Sequence, residues 1–416
     1  MRVRSMAVVA GALALILAAG ACTNGTNQVD SRLTVTISVD LPSVGSARET
    51  SQDTMDALNL YLKQRNNSAG QYAVRLVRND TADGTSAWSE AACQKLAAEH
   101  VATAGLVAVI GPFNDGCVKA QLPTLNQADA GPLLAVSHAS TADGLTADLS
   151  GDEARRYFPT GKRSFARVLT SESAHGAAAA RFAAGELRLT RCLVLDDGEP
   201  TGAAMAASFA ETARAAGIEV IGRQSWRRAE SSYLRLFSDA WPANPDCVVL
   251  AGHFDNNGAQ LVRDKVAILG DNTKVALLAL DGFAGYPEFL SLRDAAGAYV
   301  TFPGRSTAAL AAGTGPGATF IADFQAEYGR EIRGDFTSYP LYAVAALQVL
   351  LAAIEKSDGS RAGVRNVVLD GDGVTVPAAD SVLGHEVHVV PATGDVATGD
   401  ITALRVVDGK LAEIRS

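Results

Sequence analysis

Signatures of metal or covalent chemistry are missing from this sequence of 416 residues. It has no CxxC pair and no HExxH, so the usual metal-ligand spacings are absent. It also lacks a GxSxG elbow and a phosphate-cradling GxxxxGK loop, and no nucleophile comes with an assigned base. Asp196 and Asp197 are adjacent at a strand end, where neighbouring side chains point apart, so turn chemistry accounts for them better than paired acid-base work. Basic charge is short as well. The formal net charge is −9, whereas phosphate binding needs a basic face, so nucleic acid is not an expected partner. The one cationic stretch, Arg155, Arg156, Lys162 and Arg163, reads as a solvated loop. No solenoid repeat occurs, and no cofactor is implied. The N-terminal apolar run, residues 7–19, stops short of the ~18–20 residues a membrane helix needs.

What is present begins with export. Arg2 and Arg4 precede that apolar run, which ends in Gly20 and Ala21 before Cys22. This is the layout of a signal peptide over residues 1–21. Ala19-Gly20-Ala21-Cys22 resembles a bacterial lipobox, in which the cysteine is acylated and becomes the first mature residue, although Ala19 stands where leucine is more usual. Residues 22–31 are polar and too poor in apolar side chains to pack, as in a flexible tether. The expected location is therefore extracytoplasmic, on a bacterial membrane, held by lipid on Cys22. Setting Cys22 aside leaves Cys93, Cys117, Cys192 and Cys247, an even set in a disulfide-permissive compartment. Cys93 lies on a helix before the strand that leads to Cys117, and closing that loop stabilises by roughly 3–4 kcal/mol in the chain-entropy view. Cys192 and Cys247 each open an apolar strand. If those strands are neighbours, near the ~4.8 Å spacing, a bridge between them is geometrically reasonable. Two disulfides are expected, Cys93–Cys117 and Cys192–Cys247.

A chain of this length exceeds the size at which one core stops growing, so two lobes are expected. Leu33, Val35, Ile37 and Val39 alternate with polar residues, a strand that ends in Asp40 and Pro42. Met55, Leu58 and Leu62 give residues 49–64 one apolar helical face. The alternation continues with a strand at 73–78, a helix near 88–100 and strands at 106–110 and 133–136, the pattern of a doubly wound, mostly parallel sheet. A second cycle starts near Phe165 with an Ala-rich helix, a strand at 192–195 and a helix carrying Met205 and Phe209. Further strands at 218–221, 247–250, 275–280 and 298–302 make a second sheet. Residues 307–317, rich in Gly, Ala and Thr, are expected to be loop; the glycines from Gly313 to Gly317 follow no strand and lack dinucleotide-binding spacing. Helices are expected at 320–328 and 339–356, and residues 384–414 read as strands with turns at Gly394-Asp395 and Asp408-Gly409. His385 and His388 fall on opposite faces of such a strand, so they form no metal site. In open parallel sheets ligands bind beyond the carboxyl ends of the strands. Those ends are polar here: Asp40, Asp80, Asn114 and Asp115, residues 137–141, Asp196 and Asp197, His253 with Asp255, and Asp281. Each type also suits a helix N-cap or a turn. Those that face a cleft between the lobes are the candidate site.

Several longer stretches carry a resemblance. They are Val109-Ile110-Gly111-Pro112, with Pro123 in the following helix; Ser137-His138-Ala139-Ser140-Thr141, with Leu145-Thr146 downstream; and Phe165-Ala166-Arg167, running on through an acid to His175-Gly176. In the second half they are Asn244-Pro245-Asp246-Cys247-Val248-Val249, Asp281-Gly282 and Val407-Asp408-Gly409-Lys410. Together, almost from end to end of the mature chain, these resemble the type I periplasmic binding proteins of the leucine/isoleucine/valine group, which deliver solutes to ABC importers. The resemblance implies two α/β lobes, each a doubly wound parallel sheet, with hinge crossings near Arg167, Pro303 and Gly371. The first lobe would be residues 32–166 with 304–371, and the second 167–303 with 372–416. It also implies a monomer without catalysis that closes on a small polar solute, an amino acid or a relative of one, and presents it to an ABC permease. Carried over residue by residue, the backbone of Ala139 and the hydroxyl of Thr141 would serve a ligand carboxylate and Asp281 its ammonium; Ser140 and His253, from the strand ends, are the further candidate ligand contacts. Two positions depart from the family pattern. Asp115 stands where the family has a serine beside the carboxylate, and Thr201, before Gly202, where it has a tyrosine. One carboxylate beside another repels strongly in a dry site, so either Asp115 turns away or the ligand presents a cationic or hydroxyl group there. The alternative function is a ligand-sensing lipoprotein of the same fold without a transport partner. A third, hydrolysis dependent on Asp115 or Asp281, has the least support.

Overall fold

The computed structural model describes residues 32–44, 47–84, 88–284, 286–333, 338–397 and 401–414; the leader, Cys22 and the tether lie outside the described residues. β1 (Leu33–Leu41) is buried from Val35 onward on both faces, as a strand covered by helices on either side must be. It leads through α1 (Ala47–Gln64), the short β2 (Ser68–Ala69), β3 (Tyr72–Asp80), α2 (Glu90–Ala102), β4 (Leu106–Ile110) and α3 (Asp115–Asn126) to β5 (Leu134–Ser137), α4 (Asp152–Tyr157) and β6 (Phe165–Arg167). The sheet order is β2-β3-β1-β4-β5-β6. All its pairs are parallel except β2 with β3. The winding reverses between β1 and β4, and the carboxyl ends of those two strands are where such a sheet opens a crevice.

The chain then crosses into α5 (Glu172–Gly185), β7 (Arg191–Asp196), α6 (Pro200–Ala215), β8 (Glu219–Ser225), α7 (Leu234–Ala240), β9 (Cys247–Ala251), α8 (Gly258–Leu269), β10 (Ala276–Ala279), α9 (Pro287–Ser291) and β11 (Tyr299–Phe302). It returns through α10 (Thr307–Ala312), α11 (Pro316–Tyr328), α12 (Tyr339–Lys356), α13 (Arg361–Leu369), β12 (Thr375–Val376) and β13 (Val387–His388), and ends with β14 (Thr402–Val407) and β15 (Lys410–Glu413). The second sheet runs β15-β14-β11-β10-β9-β7-β8, while β12 and β13 form a separate pair. Here the reversal falls between β7 and β9. α12 is long and apolar enough to cross a membrane by length and composition, yet 78% of that stretch is buried inside the protein. It is the core helix of the first lobe, with Leu341, Val344, Leu347 and Leu350 packed in the same cluster as Ile37, Ile110 and Val136.

Four expectations need correcting. Residues 307–312 are helical rather than loop: Ser306 caps the turn, its Oγ accepting the Ala309 N–H at 3.0 Å, Ala has the strongest helix propensity, and Leu310 anchors the helix in the core. The third hinge crossing is not near Gly371. Val374, Val376, Val382, Leu383, Val387 and Val389 all join the first-lobe core and Val396 packs against it, so the chain passes to the second sheet only between Val396 and Thr402. Arg163 is not solvated; it is buried, donating to the carbonyls of Leu145 at 3.0 Å and Ala147 at 2.7 Å.

The fourth concerns the cysteines. Cys93 and Cys117 are bridged, joining α2 to α3 with Cα atoms 5.4 Å apart. Cys192 and Cys247 are free, buried thiols, although they are direct partners in the β7–β9 ladder. Parallel partners sit about one strand spacing apart, ~4.8 Å, whereas a disulfide draws its Cβ atoms to ~3.8 Å. Val194, Val249 and Ala251 pack in the same cluster, so the ladder holds the two thiols side by side without a bond. Burial, then the neighbouring Cys192, pushes the Cys247 thiol up.

Candidate functional site

The first-lobe side is built on the ends of β4 and β5. Gly111 has φ +101°, and a Cβ there would come within 2.8 Å of the Asp40 carbonyl, so only glycine permits this turn. It delivers Phe113, Asn114 and half-buried Asp115 to the start of α3. The Asp115 carboxylate accepts the Ala142 N–H at 3.2 Å. Burial raises its pKa, with the Ala142 bond, Arg167, Lys119 and Ser140 acting in the opposite sense. After β5, Ser137 Oγ accepts the N–H groups of Ala139 at 3.3 Å and Ser140 at 2.9 Å, folding residues 137–141 into a tight turn. His138 inside it is fully buried, with both ring nitrogens unpartnered. Burial lowers its pKa to about 3, so the imidazole is neutral. Its ring meets Phe113 edge-on at 5.8 Å, and Phe113 in turn meets Tyr339, at the start of α12, at 5.1 Å.

Arg167 backs this loop from the hinge. Its guanidinium is buried and donates to the carbonyls of Ser140 at 3.3 Å and Ala142 at 3.0 Å, to Thr146 Oγ1, and through Nε to Asp395 at 2.6 Å. Its own backbone N–H donates to the Gly394 carbonyl at 2.8 Å. The other two crossings are laced together, with Thr402 Oγ1 donating to the Gly304 carbonyl at 2.6 Å and accepting the Ser306 N–H at 2.9 Å.

The second-lobe side begins at Glu172, the first residue of α5. Its N–H donates to the Thr141 carbonyl at 2.9 Å across the crossing, and Ser173 beside it hydrogen-bonds Asp143. Glu172 is only 4% exposed. Its Oε1 is buried with no partner, and the nearby Thr201 hydroxyl works to lower its pKa. Burial first, then the charges of Asp115 and Asp143, push this carboxyl up to about 7. Further along the cleft, the Asp281 side chain, 20% exposed, lies 3.6 Å from Nδ1 of buried His175, whose Nε2 meets Thr301 Oγ1 at 2.8 Å. Burial lowers the His175 pKa, with Asp281 opposing. The pKa of the Tyr339 phenol is raised by burial, then by the charges of Asp281 and Asp115.

Thr141 is therefore bonded to Glu172 across the crossing, Asp115 and Thr201 act on its carboxyl, Ala139 and Ser140 lie on the turn that leads to Thr141, and Asp281 lies against His175. His253 is held through its backbone, its N–H donating to Asp197 at 2.9 Å and its carbonyl accepting the Asn256 N–H at 3.0 Å, and the residue is exposed. The remaining strand-end acids serve the scaffold. Asp197 also binds Asn256, Asp196 accepts the Gly198 N–H, and Asp80 holds Ser43 and Ala82. Asp40 is enclosed by His100, Gln121 and Ser38. Sequence reasoning missed Glu172, Phe113 and Tyr339 as site residues and had His138 only within the run 137–141. Glu172 was the one with a signal, an acid between Arg167 and His175, but Ser171 before it makes it look like ordinary first-turn capping. Among the described residues no group of three or more His, Cys, Asp or Glu could hold a metal ion. A recess of about 380 Å³ lined by Tyr61, Arg65, Gln348 and Glu355 lies within the first lobe, away from both reversal points.

Two wound parallel sheets, bound by crossings at which polar groups from both sides meet, define the two-lobed class of solute-binding protein. A profile of the periplasmic binding proteins matches residues 34–408, and the chain belongs to that family. Solved structures extend the likeness. An ABC transporter substrate-binding protein from Desulfitobacterium hafniense in complex with Leu is 20% identical, with a TM-score of 0.70 over 92% of this chain and 100% of that one. A leucine binding protein from Thermotoga maritima is 21% identical, with a TM-score of 0.67 over 92% and 98%. An ABC-transporter solute binding protein from R. palustris in complex with 4-hydroxybenzoate is 15% identical, with a TM-score of 0.70 over 92% and 96%. At these identities the shared property is the fold. No curated protein matches the chain.

Proposed function

We propose that this chain is the extracytoplasmic solute-binding component of an ABC importer, anchored by lipid on Cys22, that captures a small polar solute, amino acid or amino-acid-like, between its lobes. The carrying observation is that Asp115 and Thr141 of the first lobe meet Glu172 and Thr201 of the second at one place beside the hinge. A solute there touches both lobes only when they are closed. It therefore binds the closed form better and shifts the population toward it. Binding without conversion suits this set of groups, since the imidazole beside them is neutral and has no hydrogen-bonded nucleophile. Leucine and 4-hydroxybenzoate, held by two of the solved relatives, indicate the size of solute such a fold accommodates.

Calorimetry against amino acids, amides, polyamines, aromatic acids and sugars, with small-angle scattering on the same samples, tests this function. Micromolar or tighter binding by one class, together with a contraction of the chain, is the expected result. A screen that yields neither heat nor contraction refutes it. The anchor has its own test: labelled fatty acid incorporated into the full chain should be lost in Cys22→Ser.

A further inference from the structure

Resting on the solute-binding function above, we propose that the solute is an organic cation whose ammonium group sits between Asp115 and Glu172. At the turn after β5 the Ala142 N–H is already taken by a carboxylate of the protein itself, Asp115 Oδ1, at 3.2 Å. The amides of Ala139 and Ser140 are turned onto Ser137 Oγ. The nearby cations are engaged elsewhere: Arg167 with Ser140, Ala142, Thr146 and Asp395, and Lys119 toward Glu153 at 3.9 Å. A solute carboxylate would thus meet acids on both sides and no free cation.

An ammonium meets the opposite situation. Glu172 Oε1 is an acceptor with no donor, enclosed in a side chain 4% exposed, and an ammonium brings three donors. The charges of Asp115 and Asp143, which with burial push the Glu172 carboxyl up, are offset by a cation among them. The half-buried rings of Phe113 and Tyr339, 5.1 Å apart, offer aromatic surface to its carbon chain. Asp281, 20% exposed and 3.6 Å from His175, is a further second-lobe acid for a second ammonium or a guanidinium. Diamines and basic amino acids share this chemistry.

The test is calorimetry with putrescine, L-lysine and L-arginine, using L-leucine and 4-hydroxybenzoate as neutral and anionic comparators, on the full chain and on Asp115→Ser, Asp115→Asn and Glu172→Gln. At least one cation should bind about 100-fold more tightly than either comparator. Loss of either carboxylate should weaken that cation by about 10- to 100-fold, while Asp115→Ser tightens leucine. If Glu172→Gln fails to fold, Asp115→Asn carries the same readout. Leucine or 4-hydroxybenzoate binding better than every cation, or cation affinity unmoved by Asp115→Ser, overturns the inference and leaves the solute-binding function standing. Binding by none of the five overturns the inference, and the function falls only if the wider screen is silent too.

Discussion

Glu172→Gln should stabilise the empty protein, and only above mildly acidic pH. The Glu172 carboxyl is pushed from 4.5 to about 7 by burial and by Asp115 and Asp143. Between those two values the folded chain keeps a proton that the unfolded chain has released. Stability therefore falls as pH rises from about 4.5 to about 7 and stays lowered above it, while below 4.5 both states are protonated and nothing is lost. At about 1.4 kcal/mol per unit, the full penalty is about 3 kcal/mol. Glutamine keeps the volume without the charge. The variant should match the parent at pH 4 and exceed it by about 2–3 kcal/mol at pH 8, or about 5–10 °C of melting temperature for a cooperative unit the size of one lobe. Protein stripped of solute by unfolding and refolding, melted at pH 4, 6 and 8 and followed by circular dichroism, supplies the measurement. Taking variant minus parent cancels every other titration. A difference that stays constant across the three pH values, or a variant less stable at pH 8, would show that the buried acid carries no such burden.

Three further outcomes are expected. Burial works to raise the Asp40 pKa, but the bond and charge of His100 at 2.8 Å, with Ser38 and Gln121, hold it below its ordinary value; His100→Ala should cost about 3–5 kcal/mol at pH 7 by stranding that carboxylate, and a denaturant titration showing under about 1 kcal/mol would contradict this. Mass mapping of an unreduced, alkylated digest should return a Cys93–Cys117 peptide with Cys192 and Cys247 alkylated, and replacing Cys93 and Cys117 together by alanine should lose about 3 kcal/mol for a separation of 24 residues. Arg167→Lys replaces a planar fork by a point charge and should weaken solute binding by 10-fold or more in calorimetry, since the Ser140–Ala142 turn loses its backing; unchanged affinity would remove Arg167 from any positioning role.

The fold was legible because the hydrophobic pattern states it directly. Leu106–Ile110 and Tyr339–Lys356 emerge from apolar runs and periodicity at the bounds the structure has, and the polar strand ends lie where parallel sheets collect ligands. The misplaced crossing shows what pattern leaves out. Val374, Val382 and Val389 are apolar residues in an irregular segment, and nothing local says which of two cores they enter. The site was half legible for a similar reason. Asp115 stands out at a strand end and Thr201 only through the family resemblance, but Phe113, His138 and Tyr339 meet only after three distant segments fold together. Cys192 and Cys247 make the same point from the other side: adjacency was inferred correctly, and the rigidity of the ladder decided the chemistry.

Arg167 fastens two things to one guanidinium: the turn that would touch the solute and, through Asp395, the segment by which the chain finally leaves the first lobe. The grip and the pivot are thereby mechanically one part. A solute that pulled on the Ser140 turn would therefore load, through the same side chain, the segment at which the chain changes lobe.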